Sequence, residues 1–529
     1  MLTAAWLLPL SLLAQNLNPE VQVTNEYEIR IGDVVKKGPS MTVPDSMLRF
    51  DYHFDYSVFE SPYKGAYEFS PYSVRIAPEA GKYDGRKLFL QAGAGWTLKP
   101  ELKLDWTPLD EKNSVVSVFA RGDGFYGRYR RIKDDLTVDS AVKDWGWDFR
   151  TIAGVDARFA VGGATLRAEM AYDGLFVGHD IYHNGIAHAP YASVSIQSET
   201  MQGFRYGARL KYRYVNDKFE VFDPMQDHDV RLEGNISPYY NESMRMGLDF
   251  LLTINSVYWG AGVKPHLLLR SGNWDFDAGL RLGWYSNDTD HGQLTLSPDV
   301  NVVFHAFHNY LDLFAGAVGQ NYHMSYWDYK TMAHRFVRYN NYPDPRPVRE
   351  IADLFLGVRG FADFGLRYNL KAGYRFLKDA PFWAVGGDGR ETLLFQDCNM
   401  LHADLDLSWN TNRFDVVGGV HYKWLPYGVD ERVFAPASVT ADLSVTYNWM
   451  KRIYAGISAG MATERVAVLG NETRVMPWYL DLGVRAEYKL TGNVGLWLKG
   501  SNLLNMDIRQ SPMYSPYGPA VIAGVTIGL

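Results

Sequence analysis

Three things are scarce in this chain of 529 residues. There is one cysteine, Cys398, so no internal disulfide can form, and the thiol reads as unremarkable. Long hydrophobic runs are missing beyond the start: "AAWLLPLSLLAQ" is too short for a spanning helix, and nothing later approaches the run of about 20 apolar residues such a helix needs. A helical membrane role is therefore excluded after that opening run. Clusters of Lys and Arg are absent as well, and 53 basic against 60 acidic residues leave a formal charge of −7 and a pI near 6.0. That balance excludes nucleic acid as a partner.

What is present is aromatic and glycine-rich: 15% aromatic, 47% hydrophobic and only 21% charged residues, with 49 Gly, 35 Tyr and 15 Trp. Such a composition fits neither disorder nor a helical bundle. The opening apolar run stands where a secretory signal belongs, and residues 1–15 are expected to be one, cleaved near Ala14 or Gln15, although "MLTAAW" carries no Lys or Arg.

The informative pattern is a period of two. In "YLDLGVRAEYKL" Leu480, Leu482, Val484, Ala486 and Tyr488 take one parity, and Asp481, Arg485, Glu487 and Lys489 the other. "WDFDAGLRLGW" sets Trp274, Phe276, Leu280 and Leu282 against Asp275, Asp277 and Arg281. "LHADLDLSW" opposes Leu401, Leu405 and Leu407 to His402, Asp404 and Asp406, and "YGARLKYRY" opposes Tyr206, Leu210 and Tyr212 to Arg209, Lys211 and Arg213. These are strands whose side chains alternate between two environments. They run to about ten residues, the length a tilted strand needs to cross hydrocarbon, where soluble strands have about five or six. Trp and Tyr close the apolar stripes, as interfacial girdles require.

Tight turns are expected at "LDEKNS", "FAVGG", "SETMQG", "PYYNES", "RSGN", "FHAFHN", "GFADF", "WNTNR", "NWMKR" and "KLTGN". Longer loops are expected at residues 126–144, 177–187, 216–226, 322–350, 378–398, 424–434, 465–476 and 505–517, with shorter links at "WTLKPE", "SVYWGAG" and "NDTDHG". Alternating turns and loops yield an even number of strands, about 22 within a range of 20–24, with both chain ends on the turn side. Unpaired backbone groups in hydrocarbon cost several kcal/mol each, so the sheet must close. The fold class is thus an all-β transmembrane antiparallel barrel over residues 87–529 with no full plug domain, preceded by an extended periplasmic or lumen-associated segment, 16–86.

The last fifty residues or so carry a resemblance. "YLDLGVRAEYKLTGNVGLWLKGSNLLN", with Asn502, Leu503, Leu504 and Asn505, followed by a final strand ending "AGVTIGL", resembles the C-terminal strands of TonB-dependent outer-membrane receptors. The match implies a cell outer membrane location, a bacterial Gram-negative host, and a last strand whose Val525, Ile527 and Leu529 are read by the barrel-insertion machinery. The region before the barrel departs from the family, being too short for a plug, so the chain resembles a plugless receptor-like barrel of the Bacteroidota type.

Candidate functional residues fall in two groups. Lumen-facing candidates are Asp275, Asp277, Arg281, Arg209, Lys211, Arg213, His402, Asp404, Asp406, Asp481, Arg485, Glu487 and Lys489; both signs occur, so no preference for anions or cations is implied. The longest loop, 322–350, offers Tyr326, Trp327, Tyr329, Arg335 and Arg338, with Tyr339 and Arg346, either as an exposed binding surface or as a lid folded into the mouth. "GHDIYHNG" (His179, Asp180, His183), "NDTDHG" and "GGDGR" lack the context a metal or phosphate site needs and read as part of an outer loop, a turn and a loop tip in that order. No catalytic residue, cofactor or metal is expected, and the chain is read as a non-enzyme rather than a barrel hydrolase. Its partners are membrane lipid, the insertion machinery during biogenesis, and envelope proteins if it serves as a structural subunit. Transport or uptake of a solute is the leading reading, and a fixed subunit of an envelope assembly complex the alternative.

Overall fold

A computed structural model describes residues 87–529 apart from 134–135, 180–183, 200–202, 220–223, 242, 288–291, 308–309, 337–345, 386–390, 427–433, 470–471 and 510–513. The expectations for residues 1–15 and 16–86 lie outside the described residues.

The chain runs through β1 (Leu88–Trp96), β2 (Glu101–Glu111), β3 (Ser114–Ile132), β4 (Val138–Val161), β5 (Ala164–His179), β6 (Gly185–Ser198), β7 (Arg205–Phe219) and β8 (Met225–Tyr240). It continues through β9 (Met244–Ile254), β10 (Tyr258–Ser271), β11 (Trp274–Asn287), β12 (Gln293–Phe307), β13 (Leu311–Tyr322), a short helix α1 (Tyr326–Met332), β14 (Val348–Ala362), β15 (Leu366–Val385) and β16 (Glu391–Asn410). Then come β17 (Phe414–Trp424), β18 (Val439–Trp449), β19 (Ile453–Ala462), a loop hairpin of β20 (Arg465–Leu469) and β21 (Glu472–Met476), β22 (Tyr479–Lys489), β23 (Val494–Ser501), the two-residue β24 (Ser515–Pro516) and β25 (Ala520–Gly528).

Leaving out the hairpin and β24, 22 strands pair antiparallel with their neighbours in chain order. The first strand then pairs with the last, from Phe89 opposite Gly528 to Trp96 opposite Val521. Leu88 and Leu529 exchange backbone hydrogen bonds at 2.8 and 2.9 Å, so the seam is zipped to its end and no edge remains. Inside that seam the Trp497 indole lies over Gly93 and Gly524, and a Cβ at either position would clash with it.

All ten expected tight turns join consecutive strands at one end, the turn end, where both termini of the barrel also lie. Gly162 and Gly163 of "FAVGG" sit at φ +56° and +83°, a pair of left-handed residues that reverses the chain between β4 and β5. The parity expectation follows the register. Leu280 and Leu282 are outward and exposed at 43% and 39%, while Arg281 between them is 8% exposed on the inward face. No helix of the described residues is long and apolar enough to cross a membrane.

Five of the expected loops are largely strand: 465–476 is the β20–β21 hairpin, and four others extend the wall of the barrel. β3 runs to Ile132 and β4 restarts at Val138, β15 runs to Val385 and β16 restarts at Glu391, and the connections after β5 and β7 shrink to a few residues. There the hydrogen-bond ladder continues beyond the apolar band, where the outward side meets water. With no lipid on one side, the alternation that marks a spanning strand disappears from the sequence even though the strand persists.

Candidate functional site: a lumen with a closed mouth

At the loop end the described part of the longest connection, residues 323–336, is folded into the mouth of the barrel. Ser325 and Asp328 form a capping box: the Ser325 hydroxyl accepts from the Asp328 backbone N–H at 3.3 Å, and the Asp328 carboxylate accepts from the Ser325 backbone N–H at 2.8 Å. This starts α1, seven residues long, too short to persist alone in water. Its order comes from packing inside the mouth, where Tyr326, Trp327, Tyr329 and Lys330 are each no more than 2% exposed.

The packing is apolar and continuous. Tyr326, Trp327, Tyr329, Ala333 and Phe336 join one cluster with Phe125 and Tyr129 of β3, Leu175 of β5, Val215 of β7, Phe382 and Trp383 of β15, Leu393 and Met400 of β16, Phe434, Met476 and Tyr514. Inward side chains from strands on several sides thus meet on one helix, a core at the mouth of the cylinder.

Polar contacts fix the helix to the wall. The Tyr326 hydroxyl donates to Asp217 at 2.5 Å, and the Lys330 ammonium bridges Asp217 at 2.8 Å and the Phe336 carbonyl at 2.8 Å. Trp327 donates its indole N–H to Asp173 at 3.0 Å, a carboxylate also held by Arg150 at 2.9 Å. Asp328 faces Arg213 at 3.5 Å and Arg231 at 4.0 Å, while Arg231 also donates to the His323 carbonyl at 2.7 Å. His334 reaches Asp148 at 2.6 Å, and the Arg335 guanidinium stacks over the Tyr514 ring at 4.0 Å and the Tyr129 ring at 5.4 Å. Burial alone would raise the Asp328 carboxyl, but Arg213 and Arg231 outweigh it and hold the group below the usual carboxylate range. Burial, reinforced by Arg231, pushes the His323 imidazole down to about 3, so it is neutral at physiological pH.

Toward the turn end the inward side chains pair with one another across the wall. Lys264 bridges Asp249 and Asp299 at 2.9 and 3.0 Å, and Arg281 reaches Asp299 at 3.1 Å and Gln320 at 2.5 Å. His402 lies between Asp353 at 2.7 Å and Asp404 at 3.1 Å, and Asp404 passes on to His421 at 2.8 Å. Asp275 meets Arg270 and His305, both at 3.5 Å, and His305 and Arg359 converge on Asp312 at 2.7 and 3.1 Å. A wall pocket of about 470 Å³ opens here, lined by Asp312, Arg359, Asn369, Asp406, Gly419 and Asp442 among others.

The remaining expected lumen residues lie on the inward parity too. Asp406 accepts from Asn369 at 3.2 Å, Arg485 meets Glu487 at 3.5 Å, Asp481 accepts from the Asn502 backbone at 2.8 Å, and Lys489 donates to the Tyr454 hydroxyl at 3.3 Å. Lys211 and Arg213 stack against the Tyr191 ring at 5.3 and 5.6 Å; Arg209 stands opposite Glu233 in register, and Asp277 opposite Asn301. Of the loop residues, Tyr326, Trp327, Tyr329 and Arg335 are buried in the mouth, the lid arrangement rather than the exposed one, and Arg346 pairs with Asp379 at 3.3 Å. Arg338, Tyr339, Asp180, His183, "GGDGR" and most of "NDTDHG" lie outside the described residues. His179 packs edge-on between the Tyr129 and Tyr514 rings, and among the described residues no three His, Cys, Asp or Glu are grouped to hold a metal ion. Val525 and Leu529 point outward on the closing strand, and Ile527 shares their parity opposite Leu90.

Sequence reasoning missed the wall partners Asp148, Asp173, Asp217 and Arg231, and Lys330 and His334 of the mouth segment itself. One signal was available: "SYWD" is a Ser-x-x-Asp capping box that announces a helix in the middle of the longest loop.

No protein-family model matches the chain, and no curated protein matches it in sequence. Solved structures do match. The FrpB iron transporter from Neisseria meningitidis superposes with a TM-score of 0.63 at 12% identity, covering 84% of this chain and 81% of that one. The siderophore receptor PirA from Acinetobacter baumannii gives 0.60 at 9% identity, and the copper transporter OprC 0.60 at 12%, each covering 84% of this chain and 80% of the other. At such identities the likeness is one of fold: this chain shares the 22-strand barrel of outer-membrane receptors.

Proposed function

We propose that this protein is a gated conduit of the outer membrane, taking a solute in from the loop side, with the segment around α1 as its gate. The observation that carries the reading is the contrast within one lumen. A wide cylinder lined with charged side chains is closed at one end by a segment whose every described charged group, Asp328, Lys330, His334 and Arg335, is matched on the wall or within the segment. Contacts of that kind can be exchanged for water or ligand, whereas the closed hydrogen-bond ladder of the wall cannot. The receptor and transporter barrels that share the fold support a transport role. The finer identification belongs to the same proposal: a plugless receptor-like barrel of the Bacteroidota type, delivered by an N-terminal signal and inserted through Val525, Ile527 and Leu529. The C-terminal sequence motif supports the receptor-like end of the barrel and its insertion signal alone.

Planar-bilayer recording tests the reading. The purified protein is expected to conduct in brief openings, and a variant with residues 324–336 replaced by a Gly-Ser linker of equal length is expected to conduct steadily. Silence from both proteins would overturn it.

A further inference from the structure

We propose that the outer wall at the loop end binds the phosphate of an anionic lipid headgroup through Arg128, Arg130 and Lys143. The register of β3 and β4 places them. Tyr126 stands opposite Trp147, Arg128 opposite Trp145 and Arg130 opposite Lys143, and this parity is the outward one. Immediately below lie lipid-facing Trp96, Leu98 and Tyr126, exposed at 82%, 49% and 45%. The Tyr126 and Trp145 rings are 5.7 Å apart, a pair of interfacial aromatics that marks the boundary of the hydrocarbon. At about 3.3 Å per residue, Arg128 stands about 7 Å beyond Tyr126 and Arg130 about 13 Å before strand tilt is allowed for. Strands tilted by about 35–45° bring these heights to about 5 and 10 Å against a polar layer about 5–8 Å deep, so Arg128 stands at headgroup level and the long side chains of Arg130 and Lys143 start within a few Å of it.

None of the three is neutralised in the way its inward neighbours are. Arg131 and Arg150 of the same two strands are ion-paired with Asp144 and Asp173. Arg128, Arg130 and Lys143 have no carboxylate within 4.0 Å among the described residues. They rest instead on rings: Arg128 at 5.5 Å over Trp145, and Arg130 and Lys143 at 5.1 and 3.6 Å over Tyr517. Arg130 also donates to the carbonyl and side-chain oxygens of Asn505, both at 2.7 Å, and to the Met506 carbonyl at 3.3 Å, which fixes its position. The hydrogen bond and charge of Lys143 hold the Tyr517 phenol below its ordinary range, as a locally positive field requires. Three cations oriented by aromatic rings, with no carboxylate at ion-pair distance among the described residues and continuous with an apolar wall, fit the phosphate of a lipid whose acyl chains run down that wall. A phosphate free in solution would use the cations and leave the wall beside them unused.

The test is native mass spectrometry of the full chain in mild detergent, titrated with diphosphorylated lipid A. R128Q/K143Q, which keeps the Arg130 contacts that hold the Asn505 loop, is expected to bind about 30-fold more weakly, at about a factor of five per cation. R270Q, a cation at the turn end, serves as the control and is expected to bind as the wild type does. Equal binding by wild type and R128Q/K143Q would overturn the proposal, and so would equal binding of dephosphorylated lipid A. Inorganic phosphate is expected to compete only weakly; competition at equal concentration would show a site for free phosphate and overturn the lipid assignment.

Discussion

The two halves of the lumen are built from the same strands and the same residue types, yet they use charge in opposite ways. In the loop half, Asp217 and Asp173 of the wall and Lys330 of the inserted segment are all but inaccessible, and both wall carboxylates take a partner from that segment. In the turn half exposure rises toward the turns: Lys264, Asp353 and His402 are still buried, whereas His305, Asp275 and Arg359 have side chains 25%, 30% and 51% exposed, with partners on adjacent strands. The lesson concerns dielectric rather than geometry. A buried pair that loses one member strands a charge where water cannot reach it, while an exposed pair that loses one simply hydrates.

The largest effect should follow from Lys330. Lys330→Met keeps the bulk and removes the ammonium, leaving Asp217 buried with the Tyr326 hydroxyl as its one side-chain partner among the described residues. Breaking a buried pair in this way costs about 3–5 kcal/mol. Amide exchange across Tyr326–Met332 should therefore accelerate at least about a hundredfold, and a second change, Asp217→Asn, should restore most of the protection. Unchanged exchange in the single variant would show that the apolar cluster alone holds the mouth.

Acid should act on the same half, with a smaller effect. The His323 imidazole is held near 3 in the folded mouth and titrates at about 6.5 once released. A group whose folded pKa is depressed contributes stability above its unfolded value, and that contribution is lost as pH falls from about 6.5 toward 3, reaching about 2 kcal/mol at pH 5. Asp328, also depressed, adds to the loss only further into the acid range. Mouth opening, read as conductance, should rise between pH 7 and pH 5 in the wild type and stay flat in His323→Phe. A rise of equal size in both would assign the pH response to the wall.

How much of this could be read from the sequence divides along the same line. The wall was legible because lipid imposes a rule: Leu280 and Leu282 against Arg281, repeated strand after strand, carries both the parity and the strand count. Turns were legible because reversal needs residues such as Gly162 and Gly163 at positive φ. The mouth was not legible in that way. Asp148, Asp173 and Asp217 look like any inward carboxylate of a wet barrel, and only the arrival of a segment about a hundred residues or more distant in the chain makes them partners. The upper halves of β3, β4, β15 and β16 were hidden for a related reason, since a strand with a core on one side and water on the other loses the lipid pattern while keeping its ladder.

The smallest effect, and the sharpest test of the contrast, belongs to the turn half. Arg359 shares Asp312 with His305, and its side chain is half exposed. Arg359→Gln leaves Asp312 one partner and access to water, so the change should lower thermal stability by less than about 1 kcal/mol and leave exchange across α1 as it was. Its consequence should be electrostatic: in the steadily conducting linker variant, removing this cation beside the pocket that also holds Asp406 and Asp442 should shift reversal potential modestly toward cation preference. If Arg359→Gln instead loosened the mouth as Lys330→Met does, the two halves would be one coupled network, and burial would no longer explain why their charges behave differently.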